Sequence, residues 1–205
     1  MGWYADHLEP RLVDLACGAG QIERYRAMVV PKAAGTVLEV GFGSGLNLPH
    51  YDAGRVERLY ALEPHAPILK LAEDRLRRSA LRAEPLRAGA EAIPLPDGSV
   101  DMVLVTFTLC TVPGLDGALS EMRRVLAPGG RVLFAEHGLA PDEGVRRWQH
   151  RVQPVWGRLA GGCHLTRDVP GAMRRAGFSL PGLDQGYASG APRIAGYIST
   201  GAAQA

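Results

Sequence analysis

The spacing of apolar residues changes along this chain, and the changes mark out its elements. Between residues 4 and 30, Leu8, Leu12, Leu15 and Ile22 recur at mostly helical intervals. Gly18 and Gly20 split that stretch into two predicted helices, and Pro31 closes it. The pattern then becomes continuous. TVLEV (36–40) is rich in β-branched residues and apolar apart from Glu39, as a buried parallel strand is. RLYALEP (58–64) predicts a second strand. Residues 64–81 predict an amphipathic helix with Ile68, Leu69, Leu71, Ala72 and Leu76 inward. EPLRAG (84–89) predicts a short third strand, and VDMVLVTFT (100–108) is the most strand-like run in the chain. A helix over 115–127 is expected to end at PGG, followed by a fifth strand, RVLFAEH (131–137). Residues 143–160 predict a helix kinked near Pro154, and 167–177 a last helix with Gly177 as its C-cap. FSLPGLDQGYA and RIAGYIST predict two terminal strands, and GAAQA a frayed tail.

Alternating strands and helices imply an α/β fold, a doubly wound and mostly parallel sheet. With 205 residues and 46% hydrophobic content, one domain with a full core is expected. The expected division is a helical cap over 1–33, a cofactor-binding half over 34–140, and substrate-side helices and terminal strands over 141–205.

Two stretches compete as cofactor loop. LVDLACGAG (12–20) and VLEVGFGSG (37–45) both run from apolar residues through an acid to clustered glycines. A nucleotide-type loop needs a buried strand before it. It also needs an acid at the end of the following strand, about 20 residues on, to bind ribose hydroxyls. The second stretch meets both conditions, with Gly41, Gly43 and Gly45 in the loop and Glu63 ending the next strand. The first does not, because its lead-in DHLEPRL is helical and polar. Its glycines therefore read as a helix break, with Cys17 a candidate to face the acceptor pocket.

Spacing also bears on the cofactor. A dinucleotide fingerprint places its third glycine where Leu46 stands here. Glu39, two residues before the first glycine, suits an ammonium group and would repel a pyrophosphate. The pattern therefore favours a ligand with an amino-acid moiety.

With those residues, the sequence resembles the class I S-adenosylmethionine-dependent methyltransferases over nearly its whole length. VLEVGFGSG resembles the family's first motif, ALEP the second, GAEAIPLPDGSVDMV the adenine-capping stretch, and EMRRVLAPGGRVLFAEH the helix, turn and strand that follow. The resemblance implies a seven-stranded sheet with an antiparallel last strand, for which RIAGYIST is the expected segment. It implies S-adenosylmethionine as methyl donor and S-adenosylhomocysteine as product. By position it assigns Glu39, Gly41, Phe42, Gly43, Gly45 and Asn47 to the methionyl and ribose side. Glu63 and Pro64 fall at the ribose, Gly89, Ala90 and Glu91 at the adenine, and Thr106 and Phe107 at the end of the fourth strand.

Within the class, GSGLNLPHYD, LCTV, the Glu136–His137 pair, RRWQHRVQPVW and GGCHLTRD resemble the methyltransferase-like thiol S-methyltransferases. That branch implies a thiol or another apolar small molecule as acceptor. Bacterial phospholipid N-methyltransferases share VLEVG.G.GL.LPHY, so an amine acceptor stays open. An arsenite methyltransferase and a silent cofactor-binding module are the remaining readings. Animal members of the branch carry an N-terminal membrane anchor. MGWYADHLEP contains neither an anchor nor a signal-peptide core, so a cytoplasmic protein with at most peripheral membrane contact is expected, as monomer or homodimer.

The remaining chemistry is sparse. A net charge of +2, and no N/D-P-P-Y/F/W motif where TFTLC stands, exclude nucleic acid as the expected partner. The Arg-rich run over 74–82 reads as a solvated face. Cys17, Cys110 and Cys163 form no CxxC pair, which argues against a disulfide framework, and no resident metal is expected. His137 is the candidate base or ligand at the acceptor, and Cys110 is expected near the transferred methyl group. His150 and His164 are weaker candidates. Trp3, Tyr4, Trp148 and Trp156 are candidates for an apolar pocket wall.

Overall fold

The computed structural model describes residues 14, 15 and 17–205. The expected cap over 1–33 lies in part outside the described residues, as do Trp3, Tyr4, Leu8 and Leu12. The described chain begins with a short helical stretch broken at Gly18 and Ala19, followed by α1 (Gly20–Val29) and a 3-10 turn (Val30–Lys32).

The sheet follows. It contains β1 (Gly35–Val40), β2 (Val56–Leu62), β3 (Ala83–Leu86), β4 (Val100–Thr106), β5 (Leu126–His137), β6 (Asp184–Tyr187) and β7 (Tyr197–Gln204). The helices between them are α2 (Ala66–Arg78), α3 (Leu115–Val125), α4 (Glu143–Leu159) and α5 (Val169–Arg175). The seven strands lie in the order β3-β2-β1-β4-β5-β7-β6. The first five are parallel, and β7 is antiparallel to both β5 and β6. The expected doubly wound, mostly parallel sheet is thus the observed one. Its order reverses between β1 and β4, and in such sheets ligands bind in the crevice beyond the carboxyl ends at that point.

A hydrophobic core lies on each face. Leu38, Val103, Val105 and Phe134 pack with Leu119, Met122 and Met173 on one side. Val37, Leu59, Leu104 and Leu133 pack with Val29, Val30 and Ala72 on the other. The helices form because their apolar positions repeat with the helical turn. In α3 the buried residues are Ala118, Leu119, Met122 and Val125. Helix α5 opens on Asp168, whose carboxylate accepts from the Gly171 N–H at 2.9 Å, with Pro170 in the first turn.

The structure corrects the sequence at three edges. The PGG turn does not precede the fifth strand but lies within it. Val100 pairs with Leu126 and Met102 with Arg131, and residues 127–130 bulge out between them. The expected strand over FSLPGLDQGYA shrinks to β6, preceded by an isolated bridge from Ser179 to Gln204. The tail is not frayed, because residues 201–204 continue β7 and pair with Phe134 back to Arg131. Small residues there look like a flexible end. Next to β5 they let the strand approach closely, and Ala203 is fully buried. Among the described residues no helix is long and apolar enough to cross a membrane.

Candidate active site

A cavity of about 770 Å³ opens at the carboxyl edge of the sheet, over the switch between β1 and β4. That volume falls in the range of small-molecule sites. Of the positions assigned to the cofactor, Gly41, Phe42, Gly43, Glu63, Pro64, Gly89, Ala90, Glu91, Thr106 and Phe107 line it. Cys110 and His137 line it too.

Glu63 is the acid at the tip of β2. Its Oε2 accepts from the Gly43 N–H at 3.0 Å and its Oε1 from the His65 N–H at 2.9 Å. Each oxygen keeps a free lone pair, which is what a pair of ribose hydroxyls would use. Burial pushes this carboxyl above its usual range, against the pull of the two backbone donors. Gly41 and Gly43 have φ of +73° and +56°, left-handed conformations that glycine adopts without strain, and they bring the backbone to the cavity wall.

Glu39, Gly45 and Asn47 are not at that wall. Glu39 is 1% exposed. Its Oε1 accepts from Asn47 Nδ2 at 2.9 Å and its Oε2 from the Tyr51 hydroxyl at 2.6 Å. Strand alternation puts it on the same face as Val37, under α1 rather than toward the cavity. The expected contact from Glu39 to a cofactor ammonium group is therefore not what the structure places there. Gly45, with φ +78°, makes room instead for Leu48, whose Cδ1 would lie 2.9 Å from a Cβ.

Motif spacing does not single out Arg26, which anchors this network. Only 4% exposed, it donates from Nη1 to Asn47 Oδ1 at 2.8 Å and to Thr106 Oγ1 at 2.7 Å. A signal existed, because Arg26 falls four residues after Ile22 and three before Val29, on the inner face of its helix. Burial lowers the pKa of Arg26, and burial raises that of Glu39 to about 7. A carboxyl raised in this way makes the fold less stable as pH climbs from about 4.5 to 7, because the folded state holds its proton longer than the unfolded one. We expect Glu39→Gln to lack that penalty. The mutant-minus-wild-type difference in unfolding free energy should rise by about 3 kcal/mol across this interval, measured by denaturation at several pH values.

The N-terminal glycine stretch also reaches the cavity, where Asp14, Cys17 and Ala19 line it. Asp14 accepts from Arg75 Nη1 at 2.9 Å and from the Ser44 hydroxyl at 2.5 Å. Arg75 therefore departs from the expected solvated face, while Arg77 and Arg78 stay on it.

At the far end of the cavity lies a group that spacing did not reveal. Cys110, from the turn after β4, His137, at the tip of β5, and Cys163, from the loop after α4, bring their ligand atoms within 4.8 Å of one another. Cys163 Sγ is 3.0 Å from His137 Nε2 and accepts from the Trp156 indole N–H at 3.3 Å. The expectation of no metal rests on the missing CxxC pair and the lack of an acidic cluster with metal spacing. Chain spacing does not bear on this group, because its three residues come from three separate loops. The neighbouring Cys110 thiol and His137 hold Cys163 below the ordinary thiol range, while Cys110 is pushed up. Burial pulls the His137 imidazole down, but the hydrogen bond with Cys163 and the charges of Cys163 and Glu136 outweigh it and raise it. Cys17 lines the same cavity. Trp148 does not, being 57% exposed, and His150 and His164 face solvent.

Two carboxylate and amide anchors hold this end in place. Glu136 Oε1 accepts from the Thr108 and Leu109 N–H groups at 2.7 and 3.0 Å. Gln153 donates to the Cys163 carbonyl at 3.0 Å and accepts from the Leu165 N–H at 2.7 Å. The His164 N–H donates to the Cys110 carbonyl at 2.9 Å, joining the two cysteine loops.

Residues 38–134 match the family model of the methyltransferase domain. The chain is 36% identical to human thiol S-methyltransferase TMT1A over 155 residues, 73% of this chain and 62% of that protein. It is 33% identical to thiol S-methyltransferase TMT1B of Rattus norvegicus over 148 residues, 70% of this chain and 60% of that one. The chain belongs to the class I S-adenosylmethionine-dependent methyltransferases. A methyltransferase of this cofactor class from Aquifex aeolicus shares the fold, with a TM-score of 0.64 at 18% identity over 95% of this chain and 97% of that one. The matched part of this methyltransferase spans about three fifths of the length of the two curated thiol relatives.

Proposed function

We propose that this protein transfers a methyl group from S-adenosylmethionine to a small thiol. The observation that carries the reading is a single cavity with two chemically different ends. One end has the Glu63 carboxylate and the glycine backbone of Gly41 and Gly43, with Gly89, Ala90 and Glu91 beside them. The other has two sulfurs and an imidazole. The likeness to thiol S-methyltransferases supports the same acceptor class.

The bound cofactor supplies an activated methyl on a sulfonium sulfur. The work left to the protein is alignment, exclusion of water and deprotonation of the acceptor. Glu63 would hold the ribose hydroxyls. Cys110 and His137 belong to the acceptor side, where a thiol gives up its proton, since the thiolate is the nucleophile. The apolar wall of Ile22, Val112, Trp156 and Ile198 favours an uncharged, greasy acceptor.

Glu63→Ala should weaken binding of S-adenosylhomocysteine about 10- to 100-fold, the scale of one or two charge-assisted hydrogen bonds. Calorimetry measures it, with NAD as the control ligand, and unchanged affinity removes Glu63 from the site. The acceptor is tested by methyl transfer to a panel of alkyl and aryl thiols, amines, phenols, arsenite and phosphatidylethanolamine. Turnover of the thiols alone is the expected result. Turnover of the lipid amine without the thiols would overturn it.

A further inference from the structure

We infer that Cys110, His137 and Cys163 form a binding site for a zinc-class metal ion, with its fourth coordination position open to the acceptor end of the cavity. Two thiolates and an imidazole are a ligand set for zinc and similar borderline-soft ions. Three protein ligands with one open place is the pattern of catalytic rather than structural zinc sites. Around a tetrahedral ion, bond lengths of about 2.3 Å to sulfur and 2.0–2.1 Å to nitrogen put the ligand atoms roughly 3.5–3.8 Å apart. The three atoms here lie 3.0 Å apart at the one pair contact and all within 4.8 Å, so small side-chain rotations suffice.

A plain hydrogen bond between Cys163 and His137 explains only part of the arrangement. It leaves Cys110 Sγ with a 3.7 Å contact to the Phe107 carbonyl. The surroundings fit a metal-bound thiolate, with the Trp156 N–H donating to the Cys163 sulfur as outer-shell donors do. The ligand-bearing loops are already fixed. The Glu136 carboxylate holds the turn carrying Cys110, and Gln153 and the His164 N–H hold the loop carrying Cys163. All three ligands line the cavity, so the open side of the trio faces the space where an acceptor would sit.

Binding of the ion releases the thiol protons of Cys110 and Cys163 to solvent. The next step rests on the thiol-acceptor reading, whereas metal binding itself does not. An acceptor thiol in the fourth position loses its proton to solvent and stays on the metal as a thiolate. Its electron pair forms the new sulfur–carbon bond. The sulfonium sulfur–carbon bond breaks, and its pair stays with S-adenosylhomocysteine. The methylated product is a neutral thioether, a weaker ligand than the thiolate it came from, and it leaves.

The test uses the full chain, stripped with a chelator and titrated with Co2+, and with Zn2+ in competition with a chromophoric chelator. One equivalent should bind, and the Co2+ form should show sulfur-to-cobalt charge transfer and the visible bands of a tetrahedral ion. Cys163→Ser and Cys110→Ser should each lower affinity by at least about 100-fold, and Cys17→Ser should not. Thermal unfolding checks that the variants are folded, and the wild-type spectrum stands whether or not they are. Adding 2-mercaptoethanol should change the Co2+ spectrum. Absence of binding, or binding indifferent to both cysteine changes, overturns the site. A Cys17→Ser loss equal to that of Cys163→Ser, or a spectrum unmoved by the thiol, overturns the open position. Equal thiol methylation by metal-free protein overturns the metal's part and returns deprotonation to His137, leaving the proposed function standing. A metal site that binds thiols, in a protein that methylates none of them, overturns the proposed function alone.

Discussion

Replacing Arg26 with Met is expected to lower unfolding free energy by about 3 kcal/mol or more, the range found when one member of a buried charged network is removed. For a chain of this size that is a fall of roughly 6–12 °C in Tm. The cost comes from what Arg26 leaves behind. Asn47 Oδ1 loses its 2.8 Å donor and Thr106 Oγ1 its 2.7 Å donor, leaving this buried pair with the 3.0 Å bond from Asn47 Nδ2 to Thr106 Oγ1 and a longer 3.4 Å one from Thr106 Oγ1 to Asn47 Oδ1. Asn47 in turn holds Glu39 Oε1, so the change runs from α1 through the glycine loop to the carboxyl end of β1. Methionine fills much of the volume, so the loss reports the polar network rather than a cavity. Thermal and denaturant unfolding measure it. A Tm within about 2 °C of wild type, under 1 kcal/mol for a chain of this length, would show that the network contributes little.

Gly41→Ala should be nearly as damaging, for a steric reason. At φ +73° an added Cβ would overlap Thr108 Oγ1 and Cγ2. The left-handed backbone costs about 1–2 kcal/mol for alanine, and overpacking adds about 1–3 kcal/mol. Thr108 cannot step back freely. Its N–H donates to Glu136 at 2.7 Å and its hydroxyl to the Thr106 carbonyl at 3.1 Å. The sum is about 2–5 kcal/mol of stability, with affinity for S-adenosylhomocysteine falling at least about 10-fold, a binding loss of 1.4 kcal/mol or more. Thr108→Ala in the same chain should recover only part of the overpacking cost, because the Cβ of residue 108 would still lie 2.8 Å away, and none of the backbone cost. A double-mutant cycle on unfolding free energies separates the two, and additive effects would place the strain elsewhere.

The parts of this architecture written in local sequence are legible from the residues alone. TVLEV and VDMVLVT announce buried strands by their apolar runs, and the strand–loop–strand–acid order picks Gly41, Gly43 and Glu63 over the helical decoy at 12–20. What sequence could not reveal is what depends on pairing at a distance. β7 extends through GAAQA because β5 lies beside it, and no local propensity of those residues encodes a neighbour. Glu39 has the letters of a ligand contact, but the alternation of β1 turns it toward Asn47 and Tyr51. Cys110, His137 and Cys163 are far apart in the chain, and only the sheet's edge brings three separate loops to one point.

The walls around the acceptor end differ in build. Glu136, the strand tip and the paired cysteine loops form a fixed floor. The loop between β6 and β7 lines the cavity with Ala188, Ala191, Ala195 and Gly196, whose side chains have at most one carbon, beside Pro192. Depth on that side is therefore set by side-chain size rather than by backbone course. A family of proteins with the same floor and bulkier residues along that wall would accept shorter molecules with the same chemistry. Acceptor length and methyl transfer can thus vary independently, because they are written in different stretches of the chain.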